Sequence, residues 1–154
     1  MWNSSLLSAA PLGGVSGGLS FPQKCFHLLR GGGAAALADA GFAAAAAIEA
    51  TATEPWTEAQ LLQELDAPAG RLFGLYAGET LCGAAVFQLA ADEASLESVT
   101  ITPEHRGQGA GRALLTHALA ALKAEGAALC FLEVRAHNTP ALALYAALGF
   151  EAVG

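Results

Sequence analysis

The sequence predicts an α/β domain, a sheet layered with helices, and three observations predict it. Strand-like and helix-like segments alternate from Cys25 to Val153 in the order β α α β β β α β α β. A glycine loop, Arg106-Gly107-Gln108-Gly109-Ala110-Gly111, joins a strand to a helix. The chain has 154 residues, 54% of them apolar, which suffices to bury a core in one domain without metals or disulfides.

Residues 1–22 are rich in Gly, Ser and Leu, carry no charge and show no sustained period of 2 or 3.6, so they read as a flexible extension ahead of a domain at 23–154. The first positive residue is Lys24, too late for the basic start of a signal peptide. Residues 25–30 read as a short strand closed by the glycines at 31–33, and the alanine-rich residues 34 to about 50 as a helix. Thr57-Glu58-Ala59-Gln60 is a capping box that opens a second helix to about Leu65. Residues 71–77 and 81–90 suit a hairpin turning at 78–80. Residues 95–102 alternate Leu96, Ser98, Thr100 against Glu97, Val99, Ile101, a strand that Pro103 terminates.

Beyond the loop, Ala113, Leu114, Leu115, Ala118, Leu119 and Leu122 share one face of a helix from about Ala110 to Glu125, ended by Gly126. Residues 128–135 then read as a buried strand. Pro140 sets the first turn of a short helix that stops at Gly149, and residues 150–153 begin one more strand.

Composition narrows the function. Asp39, Glu49 and Glu54 interrupt the longest apolar stretches, and none reaches the roughly 20 residues of a membrane span, so no membrane partner is expected. Cys25, Cys82 and Cys130 are odd in number and widely spaced, which fits a reducing, cytoplasmic setting and neither a disulfide framework nor a zinc site. His27, His105, His117 and His137 also lack metal-ligand spacing, and no metal is expected. A net charge of −7 argues against nucleic acid and would suit a basic polypeptide or serve only solubility.

The loop itself is built for an anion. Glycines let backbone N–H groups approach phosphate oxygens, and the following helix offers unpaired N–H donors and a positive dipole end. Arg106 and Arg112, two of only seven positive side chains, bracket it. A diphosphate is the expected ligand. No Lys-Ser or Lys-Thr follows the glycines, which excludes a P-loop, and Arg112 stands where a dinucleotide fingerprint needs its last glycine.

The run Val99-Thr100-Ile101-Thr102-Pro103-Glu104-His105-Arg106-Gly107-Gln108-Gly109-Ala110-Gly111-Arg112 resembles the central acetyl-CoA motif of the GNAT superfamily. The run from Leu132 to Asn138, with Ala143-Leu144-Tyr145, Leu148-Gly149-Phe150 and the upstream Pro55-Trp56-Thr57, is similar more narrowly to the RimI-type ribosomal-protein N-terminal alanine acetyltransferases. The resemblance covers about 26–153. It implies a GNAT fold, a mixed central sheet flanked by helices, with acetyl-CoA as co-substrate and a protein N-terminus as acceptor. The first 22 residues have no counterpart in it. The sequence stops inside what would be the sixth strand, so a seventh, C-terminal strand is expected to be missing or borrowed from another subunit.

By this resemblance Val99, Thr100 and Ile101 lie at the thioester, and Arg106, Gly107, Gln108, Gly109, Ala110, Gly111 and Arg112 at the diphosphate. Glu133 is implied as general base, with burial raising its proton affinity, and Tyr145 as the acid that meets the departing thiolate. Asn138, Leu142 and Tyr145 would share a helix face, so Asn138 could hold the cofactor. Taken without the family, Glu133 could simply pair with Arg135, Asn138 could cap its helix and Tyr145 could be core. Glu93 and Glu97 are further candidate carboxylates, Glu97 as an alternative base. A small amine or a lysine as acceptor, and a non-catalytic acyl-CoA-binding module, remain the competing functions.

Overall fold

The computed structural model describes residues 5–11, 24–31, 68–77 and 80–153, together with positions 44, 46–48, 50, 57, 59–61 and 63. Among these residues seven strands form one sheet: β1 (Ser5–Pro11), β2 (Lys24–Gly31), β3 (Gly70–Ala77), β4 (Thr80–Ala90), β5 (Glu93–Ile101), β6 (Leu129–Arg135) and β7 (Glu151–Val153). Two helices follow β5 and β6, α1 (Ala110–Ala124) and α2 (Thr139–Ala147). In the sheet the order is β2-β3-β4-β5-β6-β1-β7. Every neighbouring pair is antiparallel except β5 and β6, which are parallel and joined through α1.

The elements from β3 to β7 lie where periodicity put them, within two residues at each end. Residues 44 and 46–48 are helical, Ala50 is in a turn with its N–H donating to the Ala46 C=O at 3.1 Å, and the rest of the helix expected at 34–50 lies outside the described residues. The capping box is present as such: the Thr57 N–H donates to Gln60 Oε1 at 2.8 Å, and the Gln60 N–H donates to Thr57 Oγ1 at 3.1 Å. Its helix is described at 59–61 and 63; the end expected near Leu65, and the hairpin turn at 78–79, are outside.

The expectation of a flexible N-terminal extension is corrected at residues 5–11, which form a strand paired on both sides, with β6 and with β7. The sheet therefore has its seventh strand, contributed by the opposite end of the chain. Ser5-Leu6-Leu7-Ser8-Ala9-Ala10-Pro11 shows no sustained alternation of apolar with polar residues, so a period-2 search misses it. The remainder of 1–22 is outside the described residues.

Packing divides between two faces. On one, α1 lays Leu114, Leu115, Leu119 and Leu122 against Phe73, Leu75, Ala85, Phe87, Cys130 and Leu132, and Tyr145 of α2 joins them. Each fully buried leucine contributes about 1.5–3 kcal/mol. On the other face Ile48 and Leu61 cover Leu72, Leu81, Ala84 and Val86. Arg71 Nε donates to Glu125 Oε1 at 3.1 Å, tying the end of α1 to β3. Among the described residues no helix is long and apolar enough to cross a membrane.

Candidate active site

The site begins with one extra residue in β5. Pairing with β4 shifts between Val86/Ser98 and Phe87/Leu96, so Glu97 is a β-bulge. A bulge bends its strand, and the consequence appears on the other edge of β5. There the parallel ladder with β6 runs from Glu93/Leu129 to Leu96/Leu132 and stops, although both strands continue. The Asp92 C=O pins the closed end, accepting from the Ala128 N–H at 2.7 Å and the Leu129 N–H at 3.3 Å. Where the strands open, Ser95, Leu96, Glu97, Phe131, Leu132 and Glu133 line a concavity of about 360 Å³.

Backbone direction in this opening follows from one hydrogen bond. The Thr102 N–H donates to the Cys82 C=O at 2.9 Å, so it points to β4. In an antiparallel ladder such pairs alternate. Thr100 and Ser98, two and four residues back, also face β4, and the N–H groups of Val99 and Ile101 face the opened side. Of the three residues expected at a thioester, Val99 and Ile101 thus offer backbone donors there, while buried Thr100 is committed to the sheet. Arg106 Nε donates to the Ile101 C=O at 2.9 Å, fixing the end of β5.

A 3-10 turn, Pro103–His105, carries the chain from β5 into the glycine loop. Gly107 and Gly109 have φ of 74° and 82°. A Cβ on Gly107 would meet nothing within 4 Å, so glycine is needed there for conformation and not for space. Gly109 is the N-cap of α1 and makes no side-chain cap, and the first helical bond runs from the Ala113 N–H to the Gly109 C=O. The N–H groups of Ala110, Gly111 and Arg112 therefore precede the helical ladder, as an anion site requires. Gln108 braces the loop through its side chain, Nε2 donating to the Glu104 C=O at 3.0 Å.

Beside these donors is a second concavity of about 270 Å³, lined by Ile101, Arg112, the loop residues other than Gln108, and by Pro140 and Leu144 of α2 and His105. The last three were missed in the sequence. Pro140 and Leu144 are four apart and so share a helix face, a signal that was there to be found. His105 is brought in by the turn, its Nδ1 2.9 Å from Thr102 Oγ1, which no spacing rule predicts.

The remaining candidates divide between the two faces of β6. Cys130, Leu132 and Val134 point into the core with α1 and Tyr145, which leaves Phe131 and Glu133 on the opposite face. Glu133 is exposed, which corrects the expected burial: it stands past the last rung shared with β5, where that strand no longer covers it. Glu97 is exposed at the same concavity. Tyr145 is buried, its ring 5.8 Å from Phe150 in an edge contact. Burial, and secondarily the neighbouring Cys130 thiol, push its phenol up to about 12. Asn138 is the N-cap of α2, with Oδ1 accepting from the Ala141 N–H at 3.3 Å, so its side-chain oxygen already has a structural task.

An open parallel strand pair, with an anion loop at a helix N-terminus on one face and carboxylates on the other, defines the acyltransferase class of α/β domain. The chain belongs to the acetyltransferase (GNAT) family, whose model matches residues 42–150. It is 46% identical over 67 residues to the [ribosomal protein bS18]-alanine N-acetyltransferase of Escherichia coli (strain K12), a match covering 44% of this chain and 45% of that protein. The chain thus spans about half the length of that relative. A putative enzyme of the same name from Bacillus subtilis (strain 168) is 33% identical over 109 residues, 70% of this chain and 72% of its own. The crystal structure of the ribosomal-protein-S18-alanine N-acetyltransferase from Escherichia coli superposes with a TM-score of 0.73 at 32% identity, over 85% of this chain and 79% of that one.

Proposed function

We infer that this chain transfers an acetyl group from acetyl-CoA to the α-amino group of a protein N-terminus, an alanine of a small-subunit ribosomal protein by similarity to its relatives. The observation that carries this reading is the opening of β5 from β6 at the Glu97 bulge. It gives a thioester a slot between strands, with the Val99 and Ile101 N–H groups on one wall. Reagents can then reach the carbonyl from both faces of the sheet.

The amine approaches on the face of Glu133 and Glu97. An α-amino group has a pKa of about 7.7–8.0 against about 10.4 for lysine, so near neutral pH an exposed carboxylate is enough to accept its proton, directly or through water. As nitrogen bonds to the carbonyl carbon, negative charge grows on oxygen beside the strand N–H donors, which stabilise it. The C–S bond then breaks and the carbonyl re-forms. Sulfur departs as thiolate toward the Tyr145 face, where a phenol held at about 12 is protonated throughout the neutral range and donates a hydrogen bond. The proton lost by the amine balances the one the thiol gains. Ala110, Gly111 and Arg112 N–H groups with Arg106 hold the diphosphate.

The test is mass spectrometry of peptides incubated with the protein and acetyl-CoA, comparing free alanine N-termini with N-blocked, lysine-containing versions. An acetyl gain of about 42 Da confined to free N-termini supports the reading through direct transfer. Gain on lysine or on small amines alone overturns the acceptor. Binding of acetyl-CoA with no transfer to any of them overturns the enzyme.

A further inference from the structure

Glu133 stands where its own strand has lost a neighbour. The ladder with β5 ends at Leu132, so Glu133, Val134 and Arg135, the last three residues of β6, have no rung on that side. Their partners lie on the other edge: Leu7, Leu6 and Ser5 of β1, in an unbroken antiparallel ladder that runs from Pro11/Leu129 to Ser5/Arg135. Among the described residues β1 is the only strand paired with this segment, and also the only one paired with β7, through Leu7/Val153, Ser8/Ala152 and Ala9/Glu151.

We propose that the N-terminal strand Ser5–Pro11 is the positioning element of the acceptor half of the site, holding the backbone beneath Glu133 while the cofactor half is built without it. A strand segment with no partner on either edge has no fixed backbone, and a general base displaced by about 1 Å costs on the order of 100-fold in rate. β5, the glycine loop and α1 are separated from β1 by β6 in the sheet order, and β1 pairs with neither β5 nor the loop. The acceptor half of the site thus depends on residues 5–11, and the glycine loop does not. With 81 residues between it and β5, the first cofactor-binding strand, a segment rich in small and apolar residues sets where the acceptor's proton goes. This rests on the reading of Glu133 as the base, so the test carries an arm that needs no acceptor.

Backbone hydrogen exchange on the full wild-type chain is that arm. Of the amides in 133–135, those aimed at β1 are expected to be protected in the absence of any ligand; exchange of all three at the rate of an unstructured peptide overturns the proposal. The second arm uses the full chain with Leu7→Pro and, separately, Ser8→Pro. Successive N–H groups of an inner strand point to opposite neighbours, so one proline removes a donor aimed at β6 and the other a donor aimed at β7. At least one variant is expected to speed exchange at 133–135 and lower kcat by about 100-fold with the acetyl-CoA Kd unchanged, while Ser8→Ala, which keeps its N–H, behaves as wild type. Wild-type kcat in both proline variants overturns the role. So does parallel loss of kcat and acetyl-CoA binding, because β1 would then support the whole fold and not the acceptor half. If no peptide N-terminus is acetylated by the wild type, the acceptor reading fails, and exchange at 133–135 still decides whether β1 holds that segment.

Discussion

Gly83→Ala tests how closely the cofactor wall is packed. A Cβ built on Gly83 would lie 2.6 Å from Ile101 Cδ1, 3.4 Å from Leu114 Cδ2 and 3.5 Å from the Thr100 carbonyl oxygen. Carbon atoms rest about 3.5–4.0 Å apart, so Ile101 must yield by roughly 1 Å. Leu114 is fully buried and Thr100 is held in the ladder, which leaves Ile101 as the group that moves. Ile101 lines the anion concavity and approaches Gly111, where a Cβ would lie 3.9 Å from Ile101 Cγ1. Overpacking of this kind costs about 1–3 kcal/mol, or roughly 3–10 °C in Tm for a domain of this size. If about half of that strain is relieved into the concavity, acetyl-CoA affinity falls roughly 2- to 12-fold, at about 1.4 kcal/mol per decade. Thermal melts and calorimetric titration with acetyl-CoA read both effects. Ile101→Val removes the clashing Cδ1, so the double variant should recover most of the loss in a double-mutant cycle. A Gly83→Ala protein with unchanged Tm and Kd, or a double variant that merely sums the two single effects, would refute the argument.

Glu133→Gln keeps the shape of the side chain and removes its proton-accepting form, so kcat should fall about 100-fold or more with acetyl-CoA Kd unchanged in the same titration; normal turnover would move the base to Glu97. Gly109→Val places a β-branched residue at φ 82°, at a cost of at least 1–2 kcal/mol, and should abolish detectable acetyl-CoA binding in that assay. In alkali the folded chain should weaken progressively. Tyr145 is raised from 10.0 to about 12 and Cys130 from 9.0 to about 12, both chiefly by burial. The unfolded chain therefore loses these protons first, and stability is intact below about pH 9 and falls from there to pH 12. The tyrosine alone accounts for roughly 3 kcal/mol of that fall, and denaturant melts at pH 8 and 11 should show a smaller drop for Tyr145→Phe than for wild type.

Much of this was legible because it is local. The capping box at Thr57 and Gln60, the proline that ends β5, the positive-φ glycines of the loop and the apolar face of α1 are each set by residues within a turn of one another. The geometry of the glycine loop was readable for the same reason: its free N–H groups are consecutive residues at one helix start. What could not be read depends on which distant strand comes to lie beside which. Ser5–Pro11 shows no alternation, and nothing in its composition says that it will insert between β6 and β7. Likewise Glu133 reads as buried, since it interrupts an apolar strand, and only the loss of its β5 neighbour exposes it.

That loss traces to a single residue. Val86 and Phe87 are consecutive in β4, but their partners Ser98 and Leu96 are not, and the whole opening of the site follows from the extra Glu97 between them. The bulge does two things at once. It turns β5 from β6 so that a substrate can enter, and it leaves the end of β6 in need of another partner. A sheet with this cleft therefore requires a strand on the far side of β6, whatever part of the chain supplies that strand. Here the register gives the place to Leu7 opposite Glu133. The N-terminal strand and the bulge are thus two halves of one structural solution, since without the second there would be no cleft and without the first no fixed carboxylate on its wall.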